Sequence, residues 1–166
     1  CKKHSKNLGS DVDEVFQKGA IKIPILELGR TIFKRLAEYT QFLEADHIII
    51  ENQPVLKNPT MKSVQMILFS FFISNESTTK KFKNIALVSA SNKLKVFKGE
   101  INPDIKNIKD KYKRNKAMAI EHCVKLLEAD FEMNQTHIEF FNNYKSKRDD
   151  LADAYLMCRW FKKQTF

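Results

Sequence analysis

Apolar side chains recur at helical spacing at Ile25, Leu26, Leu28, Ile32, Phe33, Leu36, Phe42 and Leu43. The pattern predicts an amphipathic helix running to about Glu44, with Pro24 well placed at its start and residues 21–25 as a short extended lead-in. The period then changes. Residues 46–51 carry a continuous β-branched run ending in Glu51, which reads as a strand buried on both faces. Pro54 and Pro59 mark a loop, and Thr60 reads as the cap of a second helix whose Val64, Ile67, Leu68, Phe71 and Phe72 face a core. Residues 84–89 form a second buried strand. A basic, loop-rich stretch follows, then helices over about 110–128, 136–143 and 148–163. This order predicts an α/β layer fold with parallel strands and helical crossovers. Two parallel strands make a poor sheet alone, so the pattern points to further strands upstream.

Composition narrows the picture. At 166 residues, 43% apolar and with thirteen Phe, the chain has the makings of one globular domain. We read residues 1–22 as a polar remnant or linker and residues 23–166 as the domain. Three widely spaced cysteines exclude a disulfide framework and favour a reducing, intracellular compartment. The most apolar run, Met66 to Ile73, is too short to span a bilayer, and no signal peptide is visible.

Net charge is +9, which favours a polyanionic partner. The charge is concentrated: from Lys93 to Lys116 there are nine Lys/Arg against three acids, a net +6 within 24 residues. The default reading of such a run is a solvated helix face. The alternative is a DNA-backbone surface, with Lys93, Lys95, Lys109, Lys113, Arg114 and Lys116 as its contacts.

The candidate chemistry lies in two motifs. Ile48-Ile-Ile-Glu-Asn-Gln-Pro puts Glu51 at a strand's carboxyl end, with Gln53 and Lys57 in the loop beyond it; Gln53 reads either as a DNA contact at the scissile phosphate or as a turn residue, and Lys57 as a turn residue. Lys147-Arg-Asp-Asp-Leu-Ala-Asp-Ala puts Asp150 and Asp153 three apart on a helix, projecting from one face. Carboxylates on separate elements of a basic protein suit divalent-metal phosphodiester hydrolysis, in which hard ions take oxygen ligands. Bland readings stand beside this one. Glu51 could end a strand in solvent, and Asp149 and Asp150 could be acids favoured by a helix N-terminus. Asp153 lies a turn deeper, where aspartate is a mediocre helix former, which argues for a functional reason.

These motifs, together with Lys93-Leu-Lys-Val-Phe after the second strand, resemble the Holliday-junction resolvases of the RNase H-like superfamily. The resemblance is to the poxvirus, giant-virus and fungal mitochondrial type related to RuvC, and it covers roughly residues 24–161. It implies an RNase H-like fold, a mixed sheet flanked by helices. It also implies a homodimer that nicks four-way DNA junctions using two Mg²⁺ or Mn²⁺ ions held by Glu51, Asp150 and Asp153. Asp149 is not assigned to the metals. The resemblance further implies a role in viral or organellar DNA recombination, with the cytoplasm or viral factory of an infected cell, or the virion, favoured over an organelle. The family's first metal-binding aspartate sits on an N-terminal strand in a motif absent from this sequence. Asp11 and Asp13, in a polar segment, do not replace it, so the chain reads as lacking its N-terminal strands. Cys1-Lys-Lys-His4 fits half of a Cys/His zinc insert of the kind some giant-virus members carry, whereas a structural zinc takes four ligands. Two rival readings are a non-catalytic DNA-binding or scaffolding protein on a degenerate RNase H-like core, and a nuclease acting on RNA–DNA hybrids.

Overall fold

The computed structural model describes residues 23–76, 82–129, 131–144 and 146–165. Cys1, His4, Asp11 and Asp13 lie outside the described residues. Where residues 23–166 read as one domain, the chain divides into two compact units between Leu87 and Val88.

The first unit contains α1 (Ile25–Ala37), a 3₁₀ turn (Thr40–Glu44), β1 (His47–Glu51), α2 (Pro59–Asn75) and β2 (Asn84–Val88), whose last residue falls past the division. β1 and β2 pair as a two-stranded parallel sheet. α2 is the crossover that parallel pairing requires. It packs on β1, and α1 packs on α2. Ile48, Ile50, Phe71, Phe72 and Phe82 form the core, with the three phenylalanine rings meeting edge to face at 5.4 and 5.8 Å. Burying each such ring contributes about 1.5–3 kcal/mol.

Three details differ from the sequence pattern. The first helix stops at Ala37, because Tyr39 (φ −113°, ψ 72°) leaves the helical region and the chain resumes as a 3₁₀ turn. Strand β1 buries alternate residues only, so its apolar run marks one buried face rather than two. The cap of α2 is Asn58, whose side chain accepts from the Met61 N–H (3.1 Å); Pro59 takes the first helical position and Thr60 lies inside.

The second unit holds a 3₁₀ turn (Ala90–Lys95), α3 (Pro103–Lys106), α4 (Lys111–Glu128), α5 (Phe131–Asn143) and α6 (Arg148–Thr165). Helix α4 packs against α5 and α6, and the 3₁₀ turn lies on both α4 and α6. Ala119 and Ala152 are fully buried, and such small side chains let α4 and α6 approach closely around Cys123, Leu127 and Leu156. Trp160 and Phe141 join this core, but Phe140 is exposed. The basic stretch expected to be loop is tied down at several points. Lys163 Nζ donates to the Val96 carbonyl (3.1 Å), and the Glu121 carboxylate accepts from the Asn102 N–H (3.0 Å). Asp110 caps α4 through the Tyr112 and Lys113 N–H groups. Among the described residues no helix is long and apolar enough to cross a membrane.

Candidate functional site

In the first unit the candidate residues gather where β1 ends. Glu51 is partly buried, and its Oε1 accepts from Gln53 Nε2 (3.0 Å). The Gln53 backbone N–H donates to Gln65 Oε1 (2.7 Å). Gln65 is a glutamine in the middle of α2 with only 2% of its surface exposed. The same Gln65 oxygen accepts from Lys62 Nζ (3.1 Å), which also donates to Asn52 Oδ1 (3.0 Å). A buried amide must find partners, and here it fixes the turn after the strand and thereby the glutamate's neighbour. Lys57 lies exposed in the turn before α2.

In the second unit the acids line the first turns of α6. Lys147 precedes them with φ at +60°, the left-handed region that a non-glycine residue seldom adopts. Arg148 anchors the helix start by stacking over the Phe141 ring (4.7 Å) and donating to Asn142 Oδ1 (3.2 Å). Asp149 turns inward and pairs with Lys116 of α4 (2.5 Å). Asp150 faces solvent, 62% exposed, beside Lys147 Nζ (3.3 Å). Asp153 is three-quarters buried and accepts a hydrogen bond from Lys93 of the 3₁₀ turn. Thus Asp150 and Asp153, one turn apart, differ sharply in surroundings.

Their titration differs accordingly. The Lys116 hydrogen bond holds the Asp149 carboxyl below the usual aspartate range, and Lys116 itself is raised, chiefly by that same bond. Asp153 goes the other way. Burial pushes it up, and the charges of Asp149 and Asp150 add to this; the Lys93 ammonium only partly offsets them. A carboxylate kept at such a cost is a candidate functional group.

The basic residues expected to meet DNA fall into two sets. Lys93 and Lys116 are engaged by acids of α6, while Arg114 donates to the Ile108 carbonyl (3.2 Å). Lys95 donates to Asn92 Oδ1 (2.8 Å), and Lys109 and Lys113 are exposed. Of the basic residues expected to meet DNA, Lys95, Lys109 and Lys113 are therefore the ones that face solvent.

Magnesium or manganese needs hard oxygen donors and is usually held by one or two carboxylates plus waters. The α6 acids are of the right chemical type, and so is Glu51. Among the described residues, however, no group of three or more His, Cys, Asp or Glu side chains gathers within either unit. Three residues carry little signal in the sequence. Gln65 hides in an apolar run, Lys62 precedes it by three, and His122 is a core histidine packed on Phe97 (4.9 Å). Neither His122 ring nitrogen has a hydrogen-bond partner among the described residues, and burial lowers its pKa. Cys123, beside it, is an inert core thiol that burial pushes up to about 12.

No protein-family profile matches the chain, and no solved structure matches it. It is similar to "Uncharacterized protein L451" of Acanthamoeba polyphaga mimivirus, 33% identical over 150 residues. That similarity takes in 84% of this chain and 35% of the mimivirus protein, so the chain spans about a third of the length of the curated relative it matches.

Proposed function

We propose that this chain carries most of the active-site carboxylates of a structure-selective endodeoxyribonuclease that cuts four-way DNA junctions as a homodimer in a virus-infected cell. The observation that supports this reading most is Asp153. It is a largely buried aspartate with a raised pKa, retained one turn from Asp150 in the motif that resembles the resolvases. The mimivirus relative is in keeping with a viral source. Glu51, Asp150 and Asp153 are the proposed ligands of Mg²⁺ or Mn²⁺. Such an ion supplies the Lewis acid that activates water and neutralises charge on the leaving oxygen. The other residues hold and orient. Gln53 fixes one oxygen of Glu51, Lys93 balances Asp153, and the Lys116–Asp149 pair braces α6 on α4. Lys95, Lys109 and Lys113 hold backbone phosphates, which position DNA without reading its sequence. The first-strand aspartate implied by the resemblance has no counterpart in the sequence.

One observation favours a second reading, a non-catalytic DNA-binding protein. Asp149 and Asp153 already carry lysine counter-charges. Calorimetric titration with Mn²⁺ separates the two. The nuclease reading expects saturable uptake, weakened roughly tenfold or more by Asp153→Asn or Glu51→Gln. A chain that takes up no Mn²⁺ supports the scaffold.

A further inference from the structure

We propose that Lys62 is a phosphate-binding residue at the end of β1, taking a backbone phosphodiester oxygen of DNA; this rests on the nuclease reading above. An ammonium has three donors. Two of them go to Asn52 Oδ1 (3.0 Å) and Gln65 Oε1 (3.1 Å), and both acceptors are neutral amides. Among the described residues no carboxylate lies within ion-pair distance of Lys62. In the second unit Lys93, Lys116 and Lys147 each meet an aspartate instead. Among the described residues Lys62 therefore has no acidic counter-charge and one donor without a partner, while its direction is fixed by the buried Gln65.

Its place in the helix supports a ligand role. Lys62 is in the first turn of α2, which carries no acid. A cation there is disfavoured by the helix dipole, and an anion is welcome. The same Gln65 oxygen accepts from the Gln53 N–H, and Gln53 in turn binds Glu51. The arrangement ties one cation and one carboxylate to a single buried amide. That juxtaposition suits a phosphodiester, whose scissile phosphorus must lie by the carboxylate while a non-bridging oxygen is neutralised. An ammonium held by amides meets that oxygen without rearranging.

The test is binding of a labelled four-way junction by fluorescence anisotropy, without divalent metal, from 50 to 200 mM salt. A lysine that neutralises one phosphate contributes about 0.9 to the slope of log affinity against log salt. Lys62→Gln is expected to lower the slope by about that amount, with its melting temperature unchanged, and Lys62→Arg to restore it. Asn52→Ala keeps the charge but frees the ammonium, so it is expected to weaken binding with the slope retained. An unchanged slope in folded Lys62→Gln would overturn the proposal. If wild type still cleaves junctions in Mg²⁺ in that case, the nuclease reading survives and only the role of Lys62 falls. A wild-type chain that binds no junction at 50 mM salt overturns both.

Discussion

The end of β1 and the start of α6 both present carboxylates, yet they hold them by opposite means. Glu51 is bonded to a neutral amide and meets no cation among the described residues, and the lysine nearby in the network is likewise held by amides. Asp149, Asp150 and Asp153 each face a lysine, at 19%, 62% and 25% exposure. The contrast separates two uses of charge. Amide partners orient a group while leaving its charge for a ligand; ammonium partners neutralise it and brace the fold. On α6 the gradient of exposure sorts the acids further. Asp149 is a brace, Asp150 is the most open to solvent beside its exposed Lys147, and Asp153 stands between the two.

The comparison can be broken first where the effect is largest. Glu51→Gln is expected to reduce Mg²⁺-dependent junction cleavage roughly a hundredfold or more, with thermal unfolding nearly unchanged, since only one amide hydrogen bond is altered. Core deletions come next. Phe72→Ala in the first unit is expected to cost about 3–5 kcal/mol, and Leu156→Ala in the second about 2–5 kcal/mol, read by denaturant unfolding. Lys93→Met should follow at about 1–3 kcal/mol near neutral pH, because it strands a largely buried carboxylate. Added Mn²⁺ should recover much of that loss, whereas a metal-insensitive melting point would show that Asp153 has no access to a cation.

pH resolves smaller terms, and the signs differ by residue. His122 has a lowered folded pKa, so its contribution is intact above about 6.5, the unfolded value, and is lost as pH falls toward the folded one. Melting temperatures at pH 7.5 and 5.5 should diverge, and His122→Phe should bring them together. Asp149, with its lowered pKa, contributes stability above about pH 3.9 that disappears as pH falls through the folded value. Asp153, with its raised pKa, works in reverse: stability declines as pH rises from about 3.9 through the folded value. Asp153→Asn should remove that decline, and Asp149→Asn should remove the opposing one. Asp150→Asn should change stability least, within about 0.5 kcal/mol, as an exposed pair does.

Much of the local structure was legible from spacing. Two strands, the helix between them and the two long helices of the second unit lie within a few residues of where periodicity puts them. Failures occur where local signals compete. Asn58-Pro59 outranks Thr60 as a helix start because an asparagine before proline is already the cap–first-turn pair. The β-branched run of β1 cannot by itself tell one buried face from two. The candidate site was legible as residue types but not as partnerships. Lys93 meets Asp153 across 60 residues, and Gln65 reaches back 12 residues to Gln53. Such pairings are set by tertiary packing and leave no periodic trace. Lys62 was invisible for the same reason: nothing in Met61-Lys62-Ser63 announces that two amides will aim its ammonium.

The most direct test of the central claim is incubation of this chain with a labelled four-way junction and Mg²⁺, beside its Asp153→Asn variant. Paired symmetric nicks, absent in the folded variant that still binds the junction, are the predicted result. Salt-sensitive binding with no cleavage, or cleavage that Asp153→Asn leaves intact, would contradict it.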